Sequence, residues 1–264
     1  MLADRGFKVC LTARRGPLLR EICEEINQKH GPDTACYYAG DVTDAEVRRA
    51  TLDEATGRWG RLDLLVNNAG TAWSGVVEEI DLDALRAQFE LTTIAYVGWM
   101  QLAGPIMRRQ QSGRMINVSS ITGRVPLPGI APYSASKSAV ETICDVARME
   151  YRRWGVKIIL VAPGAVTTEI WELGRKILEE QHKGWQESDF ADVYQALIDY
   201  VENVMHGGAG VVEVETVAKV ICHAATSKRP KAKYFTPLPV WFFSHLPSSP
   251  AGLRDWIVRQ IVKV

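Results

Sequence analysis

A tyrosine and a lysine four residues apart, Tyr133 and Lys137, are the residues whose types and spacing most clearly indicate chemistry in this chain. Residues four apart on a helix lie on one face, one turn from each other. An ammonium group in that position stabilises a phenolate and lowers the pKa of the phenol. Such a phenol can exchange a proton with a substrate oxygen near neutral pH. We therefore expect Tyr133 to be a general acid/base whose pKa is lowered by Lys137.

A serine before this pair is the third candidate. Residues 114–118 are expected to form a buried strand that leads to Ser120, whose hydroxyl could donate a hydrogen bond to the same substrate oxygen. Residues 132–154 are expected to form the helix that carries the pair, because proline suits a first helical turn and apolar residues follow at helical spacing. These apolar residues are Ala135, Ala139, Val140, Ile143 and Val146. A solvated helix pair and a polar loop would explain the same positions equally well.

Alternating strand and helix patterns predict the fold that positions these residues. Short apolar runs are expected to be strands at 8–13, 34–39, 62–66, 114–118, 157–162 and 233–235. Amphipathic stretches are expected to be helices around 18–26, 44–58, 79–111, 132–154, 170–181, 190–205 and 213–226. Such alternation favours right-handed crossovers and one parallel sheet. The predicted fold class is α/β, a doubly wound parallel sheet with helices on both faces, in a single domain over residues 1–264.

Polar residues cluster at the predicted carboxyl ends of these strands. The residues that follow the strand ends are Arg14, Asp41, Asn68, Ser120 and Pro163. Open parallel sheets bind their ligands at this edge. The shared edge therefore links the acid/base pair to a predicted binding cleft.

Several motifs, in this order, resemble the short-chain dehydrogenase/reductase family. Ser120 precedes Tyr133 by thirteen residues and Lys137 follows, which is similar to the Ser…Tyr-x-x-x-Lys signature of that family. Residues 67–70 read Asn-Asn-Ala-Gly, like a second element of the family, and the resemblance covers residues 2–235. It implies a Rossmann-type fold, a nicotinamide cofactor, and Ser120, Tyr133 and Lys137 as catalytic residues.

Cofactor contacts are expected along the whole cleft. The predicted cofactor-binding residues are Arg14, Arg15, Asp41, Val42, Asn68, Ala69, Gly70, Tyr133, Lys137, Pro163, Gly164, Val166 and Thr168. In the family, the equivalents of Asp41 and Val42 contact adenine, and those of Val166 and Thr168 hold the nicotinamide carboxamide. The resemblance also gives Lys137 a contact with the nicotinamide ribose. Asp41 could equally belong to the turn before the next helix.

Two arginines bear on the choice of cofactor. Arg14 and Arg15 follow the strand at 8–13, and no Asp or Glu closes that strand. Arginine suits the 2′-phosphate of NADP, whereas an acidic residue would suit the free 2′-hydroxyl of NAD. We expect NADP(H) to be preferred over NAD(H), although the two arginines could also be an ordinary surface pair.

The chain departs from the family pattern in two places. The first strand and the glycine-rich turn that receives the pyrophosphate are absent before Leu2, and we expect the sequence to start at an internal methionine of a longer product. Without that central strand, two inner strands would be unpaired and a slot would open in the core. Thr92 also stands where the family usually has the asparagine of a proton relay, and its hydroxyl could hold a water instead.

Two regions near the end of the chain allow more than one interpretation. Residues 169–210 have the position of the family's substrate lid, with glycines as hinges, but could be a pair of packing helices. Residues 237–264 are an apolar C-terminal extension with interspersed basic residues. The extension could close over a lipophilic substrate, pack against a second subunit or touch a membrane surface, and we expect packing between subunits.

Composition argues against several classes of function. The 264 residues carry 31 Lys and Arg against 31 Asp and Glu without a basic cluster, so no nucleic-acid partner is expected. Five scattered cysteines favour a reducing compartment, and the sequence shows neither a signal peptide nor a membrane span, so we expect a cytoplasmic protein. The five histidines lack the spacing of metal ligands, and no metal site is expected.

The predicted function is that of an NADP(H)-dependent oxidoreductase interconverting an alcohol and a ketone or aldehyde. The substrate is expected to be a lipophilic small molecule, and the assembly a homodimer or homotetramer. The alternative is a binding or regulatory protein that keeps the scaffold without turnover, which the absent glycine turn and Thr92 would support.

Overall fold

Strands and helices alternate along the part of the chain that the computed structural model describes. It describes residues 1–181, 183–208, 211–237, 240, 244–246 and 249–262. Residues 182 and 209–210 of the predicted lid therefore lie outside the described part, as do residues 238–239, 241–243, 247–248 and 263–264 of the predicted apolar extension. The predicted order of elements is confirmed for the rest, with boundaries shifted by a few residues.

Parallel pairing brings the strand ends to one edge. The strands are β1 (Val9–Ala13), β2 (Ala35–Ala39), β3 (Leu64–Asn67), β4 (Gly113–Val118), β5 (Val156–Pro163) and β6 (Lys233–Thr236). Asn67 lies opposite Asn117, and Val118 lies opposite Val161. The carboxyl ends of β3, β4 and β5 therefore meet at the same edge, where the site residues were expected.

Helices flank the strands, and local sequence explains where they begin and end. They are α1 (Gly16–His30), α2 (Ala45–Trp59), α3 (Leu82–Phe89), α4 (Ala95–Gln110), α5 (Ala131–Tyr151), α6 (Glu169–Gln181), α7 (Ala191–Met205), α8 (Val214–Thr226) and α9 (Ala251–Val262). At the start of α2, the Asp44 carboxylate accepts a hydrogen bond from the Glu46 backbone N–H. Gly60 ends that helix with a φ of 69°, which glycine adopts without strain.

The predicted helix over 79–111 is interrupted. Val77–Glu79 form a separate 3-10 turn, α3 ends at Phe89, and Glu90–Ile94 form a π-helical turn before α4. Thr92, the residue at the expected relay position, lies inside this turn. Single π turns within helices often occur at functional sites. The apolar pattern alone does not reveal such an interruption.

Helices cover both faces of β4 and β5. On one face Met115 and Leu160 pack with α4 and α5, and on the other Ile116 and Ile159 pack with α8. Strands buried on both faces read as continuous apolar runs, as these two do. The carboxyl end of β4, which leads to Ser120, is therefore fixed by packing on both sides.

The buried face of α5 differs from the predicted one. Val140 and Cys144 are buried in line with Lys137, which is itself only 3% exposed. Ala135 is exposed and Val146 keeps 45% of its surface in solvent, so the predicted apolar stripe through these two residues is wrong. The apolar pattern did not identify the buried face, because that face contains a lysine, Lys137.

The sheet is in two parts, and a cavity lies between them. Among the described strands, β1 pairs with β2 alone, whereas β3, β4, β5 and β6 form a four-stranded part. Residues of both parts line one cavity of about 2250 Å³, including Leu11 of β1 and Leu65 and Val66 of β3. The expected slot between two inner strands is therefore present, and it continues into the cleft at the carboxyl ends of the strands.

Candidate active site

A short turn after β4 fixes Ser120. The Ser120 oxygen accepts hydrogen bonds from the Thr122 backbone N–H at 3.2 Å and from the Thr122 hydroxyl at 3.0 Å. The Ser119 hydroxyl donates to the Lys137 carbonyl oxygen at 3.1 Å, which ties the turn to α5. Gly123 permits this approach, because a Cβ there would lie 2.9 Å from the Lys137 carbonyl carbon. Because Ser120 accepts these two hydrogen bonds, it can donate its own proton to Tyr133 or to a substrate oxygen.

Helix α5 brings Tyr133 and Lys137 to this turn. The Lys137 amine lies 5.7 Å from the centre of the Tyr133 ring and donates a hydrogen bond to the Val118 carbonyl oxygen at 2.9 Å. The Ser120 hydroxyl interacts with the Tyr133 phenol. All three predicted catalytic residues line the same cavity. The structure thus brings them together at the end of β4.

Burial sets the protonation states of the pair. It raises the pKa of the Tyr133 phenol, and the hydrogen bond with Ser120 acts in the opposite direction without cancelling the effect. Burial also lowers the pKa of Lys137 to about 7. The expected lowering of the Tyr133 pKa by Lys137 is therefore wrong for the protein alone, because an amine with this pKa carries only part of a charge at neutral pH. Tyr133 is a protonated phenol at neutral pH.

Asn67 and Tyr96 hold the loop after β3 in place. The buried Asn67 side chain donates hydrogen bonds to Asn117 Oδ1 at 2.8 Å and to the Tyr96 carbonyl oxygen at 3.3 Å. The Tyr96 hydroxyl donates to the Ala69 carbonyl oxygen at 2.9 Å, and its ring centre lies 5.4 Å from the Lys137 amine. The role of Tyr96 was not predictable from the sequence, because an aromatic residue on an apolar helix face gives no sign of such a contact.

Two residues of the same loop are open to the cleft. Asn68 and Gly70 are exposed and line the cavity. A Cβ on Gly70 would lie 3.7 Å from the Lys137 amine and 3.7 Å from the Thr92 methyl carbon. The absence of a side chain at Gly70 therefore leaves the approach to Lys137 clear.

The Thr92 hydroxyl is engaged in a buried network. It donates to the Gln88 carbonyl oxygen at 2.7 Å and accepts from the Gln88 side-chain N–H at 3.1 Å. Gln88 also donates to Ser136 Oγ at 3.3 Å and accepts from the Trp73 backbone N–H at 3.0 Å. These bonds join α3, the π turn and α5. The geometry therefore gives Thr92 a structural role, where the sequence suggested a residue that holds a water.

The two arginines after β1 have different surroundings. Arg15 forms an exposed ion pair with Glu169 of α6 at 3.3 Å. Arg14 is exposed, lines the cavity and has no ion-pair partner within the described ranges. Arg14 is therefore the arginine that remains open to an anionic ligand.

The predicted adenine-contacting pair divides between two roles. The Asp41 carboxylate accepts hydrogen bonds from the Thr43 backbone N–H at 2.9 Å and from the Thr43 hydroxyl at 2.7 Å. The Thr43 backbone bond is the largest cause of the lowered pKa of Asp41. Asp41 thus belongs to the turn before α2, whereas Val42 is buried in the core and borders the cavity.

The segment after β5 follows the cavity. Its predicted cofactor residues, all of which line the cavity, are Pro163, Gly164, Val166 and Thr168. A Cβ on Gly164 would lie 2.7 Å from a methyl group of Val240, so only glycine fits where the backbone passes this close to Val240. The Val166 carbonyl oxygen accepts a hydrogen bond from the Trp171 indole N–H at 2.8 Å, which anchors α6 to the segment.

Two aromatic residues from the region 169–210 form a wall near Tyr133. Trp171 of α6 and Tyr200 of α7 meet edge to face, with ring centres 5.9 Å apart. Both line the cavity and belong with Tyr133 and Ile121 to one apolar cluster. Sequence analysis missed Trp171 and Tyr200, because aromatic residues on amphipathic helices usually serve packing alone.

The C-terminal extension contributes to the same cluster. Leu246 and Val258 pack there, whereas Leu253 and Trp256 are exposed. One side of α9 therefore packs within the chain. The expected packing between subunits stays a prediction and concerns the exposed side of α9.

The fold and the cleft place the chain in the class of doubly wound α/β proteins with a ligand site at the carboxyl edge of the sheet. Residues 1–177 match the family model described as short chain dehydrogenase. The chain belongs to the short-chain dehydrogenase family and is an oxidoreductase. The NADPH-dependent 3-dehydrocapnine reductase of Ornithobacterium rhinotracheale is 32% identical over 236 residues, which are 88% of this chain and 79% of that protein.

Solved structures have the same fold. A short-chain dehydrogenase from Streptomyces avermitilis has a TM-score of 0.75 at 27% identity, over 96% of this chain and 88% of that chain. A short-chain dehydrogenase/reductase from Burkholderia phymatum, in complex with NAD, has a TM-score of 0.77 at 22% identity, over 92% and 85% of the two chains. The predicted fold class is confirmed. Within the described residues, no helix has the length and apolarity that a membrane crossing needs.

Proposed function

We propose that this chain is an NADP(H)-dependent oxidoreductase that interconverts a secondary alcohol and a ketone, or a primary alcohol and an aldehyde. The observation that carries the proposal is the meeting of Ser120, Tyr133 and Lys137 on the wall of one cavity. A hydroxyl, a phenol and an amine around one point can hold a carbonyl oxygen and supply its proton.

Tyr133 is the proton donor in carbonyl reduction under this proposal. Because burial raises the pKa of its phenol, Tyr133 is protonated at neutral pH. Ser120 can orient the carbonyl oxygen by donating its O–H to it, since the Ser120 oxygen itself accepts from Thr122. As the carbonyl carbon is reduced, its oxygen gains negative charge and takes the proton from the Tyr133 phenol.

Lys137 stabilises the phenolate that remains. Only its ammonium form can do so, and burial lowers the pKa of Lys137 to about 7. The ammonium is therefore present below about pH 7 and is lost as the pH rises through that value. In alcohol oxidation the phenol must first lose its proton, so we expect oxidation to become faster with rising pH.

The cleft is proposed to bind a nicotinamide dinucleotide that carries a 2′-phosphate. Arg14 offers an exposed guanidinium without an ion-pair partner in the described ranges, whereas Arg15 is paired with Glu169. Arg14 is therefore proposed as the main contact of the phosphate, and Gly70 leaves space for the cofactor beside Lys137. The NADPH-dependent relative supports this preference. Bound NADPH would supply the hydride.

Further cofactor contacts are proposed along the cleft. These residues are Asn68, Ala69, Pro163, Gly164, Val166 and Thr168, and each lines the cavity. Val166 and Thr168 are proposed to face the nicotinamide, as their counterparts in the family do. Val42, which is buried and borders the cavity, is proposed to contact the adenine of the cofactor. The turn formed by Asp41 and Thr43 is proposed to hold Val42 in place.

The substrate is proposed to be lipophilic. The cavity wall near Tyr133 is built from apolar and aromatic side chains, including Ile121, Trp171 and Tyr200. Residues 169–210, which carry Trp171 and Tyr200, are proposed as the substrate lid of a single domain. Burial of apolar substrate surface against this wall would drive binding.

A homodimer or homotetramer is proposed as the assembly, and a cytoplasmic location stays a prediction. Val146 and Met149 on the outer face of α5 keep 45% and 65% of their surfaces exposed. Neighbouring exposed apolar residues are typical of subunit contacts. Light scattering coupled to size-exclusion chromatography should give a smaller mass for Met149→Glu than for the wild type, and equal masses would argue against this face.

Tyr133→Phe tests the proposed function, because it removes only the phenolic oxygen. We expect the NADPH-coupled reduction of a panel of ketones, followed by NADPH absorbance, to fall by about 10³-fold with Tm unchanged. Tyr38→Phe, on the exposed end of β2, is the matched control and should keep full activity. Unchanged activity of Tyr133→Phe would show that Tyr133 is not the proton donor.

The alternative function is that of a binding protein without turnover. The engagement of the Thr92 hydroxyl by Gln88 favours it, because Thr92 then holds no water for a proton relay. Calorimetry that shows NADPH binding, together with no reduction of any ketone in the panel, would support this alternative.

A further inference from the structure

A second tyrosine, Tyr200, borders the same cavity as Tyr133 and takes no part in the proposed proton transfer. Tyr200 of α7 lines the cavity and packs with Tyr133 in one apolar cluster. Its ring meets Trp171 edge to face, with ring centres 5.9 Å apart. No hydrogen bond of the Tyr200 hydroxyl to any residue within the described ranges is found.

Other buried phenols of the chain do have partners. Tyr194, six residues earlier on the same helix, donates a hydrogen bond to the Glu79 carboxylate at 2.6 Å. The Tyr96 hydroxyl donates to the Ala69 carbonyl oxygen at 2.9 Å. Tyr200 differs from both, because it is only partly buried and lines the cavity, so its hydroxyl can take a partner from the contents of the cavity.

The position of Tyr200 is fixed before any ligand binds. Leu197, on the same helix, is buried and packs so closely on Gly129 that a Cβ there would lie 3.0 Å from it. Trp171, the aromatic partner of Tyr200, is held by the hydrogen bond from its indole N–H to the Val166 carbonyl oxygen. The two rings therefore form a preformed wall, so little ordering is needed on binding.

The surroundings of Tyr200 favour an uncharged partner. Burial raises the pKa of its phenol, so Tyr200 is a hydrogen-bond donor at neutral pH. The side chains that pack with it in this cluster are apolar or aromatic, and the Trp171 ring meets its ring edge to face. A carboxylate placed against these side chains would lose hydration that the neutral Tyr200 phenol cannot replace with an ion pair. A ketone, ester or amide oxygen can accept the hydrogen bond without that cost.

We propose that Tyr200 is a substrate-positioning residue that donates a hydrogen bond to a second, uncharged oxygen of the substrate. The flat apolar body of the substrate would lie against Trp171, with the reacting carbonyl at Tyr133. This inference rests on the proposed function and narrows its substrate class to carbonyl compounds that carry such a second acceptor. Tyr133 keeps the catalytic role, because Ser120 and Lys137 stand beside it.

The test compares two ketones of the same shape in wild type and Tyr200→Phe. Methyl para-acetylbenzoate carries a second acceptor, and para-sec-butylacetophenone has hydrocarbon in its place. We expect Tyr200→Phe to raise KM for the ester ketone about fivefold with kcat unchanged, and to leave both constants of the hydrocarbon ketone unchanged. Tyr38→Phe is the matched control and should change neither compound. A merely structural role of Tyr200 would shift both ketones alike, which would overturn the inference.

A binding measurement separates this inference from the proposed function. Calorimetry in the presence of NADP⁺, from which a ketone cannot receive a hydride, gives Kd for both compounds without turnover. Tighter binding of the ester ketone that is lost in Tyr200→Phe supports the inference even if neither ketone is reduced, in which case the proposed function fails alone. Reduction of both ketones without any effect of Tyr200→Phe on KM or Kd overturns the inference and leaves the proposed function standing.

Discussion

The two sides of the sheet differ in how completely they are packed. Helices cover both faces of β4 and β5, where Ile116 and Leu160 are buried on opposite faces, and the turn at Ser120 is hydrogen-bonded to α5. On the other side, β1 pairs with β2 alone among the described strands, and Leu11 borders the cavity that separates it from β3. The acid/base centre therefore lies in the well-packed part, and the arginines at the end of β1 lie in the other.

This difference shows that the two halves of the cleft depend on different parts of the chain. Residues 113–151 alone supply Ser120, Tyr133 and Lys137, with their positions fixed by neighbours in the sequence and by β5. Arg14 reaches the cleft from a part of the sheet that is joined to the rest through helices and loops. Proton transfer should therefore tolerate changes in β1, whereas cofactor affinity should not.

Among the changes that leave Tyr133 in place, Lys137→Met is expected to have the largest effect. Loss of the ammonium should lower NADPH-coupled ketone reduction by about 10²-fold or more, because the phenolate then has no cation beside it. The same change should raise Tm at neutral pH, since it removes a buried amine whose pKa is lowered from 10.5 to about 7. Initial rates and thermal unfolding in one buffer check both effects. A lower Tm in Lys137→Met would contradict the assigned burial.

The pH dependence of that stability difference follows from the direction of the shift. Between about pH 7 and about pH 10, the unfolded chain holds a proton on Lys137 that the folded chain lacks. The contribution of Lys137 to the free energy of unfolding of the wild type should therefore rise with pH over that range. The excess in free energy of unfolding of Lys137→Met over the wild type should shrink accordingly. Denaturant unfolding of the wild type and Lys137→Met near about pH 7 and near about pH 10 measures this difference. A difference in the free energy of unfolding that grows towards alkaline pH would contradict the expectation.

Two leucines, one in β5 and one in β1, test whether these two sides of the sheet differ in packing. Leu160 in β5 is 1% exposed, whereas Leu11 in β1 is partly exposed and borders the cavity. We expect Leu160→Ala to lower the free energy of unfolding by about 3 kcal/mol and Leu11→Ala by about 1 kcal/mol. Urea unfolding of the two variants gives the comparison. Equal losses would mean that the two sides are packed alike.

The arginines give a smaller effect that is confined to the cofactor. Arg14→Ala should raise KM for NADPH about tenfold and leave KM for NADH nearly unchanged, because one charge-assisted contact to the 2′-phosphate is lost. Arg15→Ala is the matched control, since Arg15 already pairs with Glu169, and it should change KM for NADPH by less than about threefold. Equal effects of both variants on NADPH and NADH would contradict the assignment to Arg14.

The smallest effect is expected for Thr92→Ala. Its hydroxyl is bound to Gln88 inside the fold, so we expect kcat to stay within about threefold of the wild type and the free energy of unfolding to fall by about 1 kcal/mol. Initial rates and urea unfolding are the two measurements. A large loss of kcat without a loss in the free energy of unfolding would contradict this structural role and support a role of Thr92 in a proton relay.

Local patterns in the sequence predicted most of the scaffold. Strand and helix order, the position of Ser120 after β4, and the one-turn spacing of Tyr133 and Lys137 follow from periodicity within a few residues. These features depend on neighbours in the chain, which is why the sequence reveals them.

Features that arise from tertiary packing were not predictable in the same way. The raised pKa of Tyr133 and the lowered pKa of Lys137 come from burial, which spacing alone does not measure. The wall of Trp171 and Tyr200 joins two helices of the region 169–210, and each residue alone looks like ordinary packing. The π turn around Thr92 likewise depends on the Gln88 network.

The most direct test of the acid/base centre is the pH dependence of kcat/KM for NADPH-coupled ketone reduction, measured in wild type and in Tyr133→Phe. The wild type should be constant at acidic pH and fall with an apparent pKa of about 7 as Lys137 loses its proton, and Tyr133→Phe should be about 10³-fold slower throughout. A wild-type profile without any change near pH 7, or a Tyr133→Phe variant within about tenfold of the wild type, would contradict a proton donated by Tyr133 and supported by Lys137.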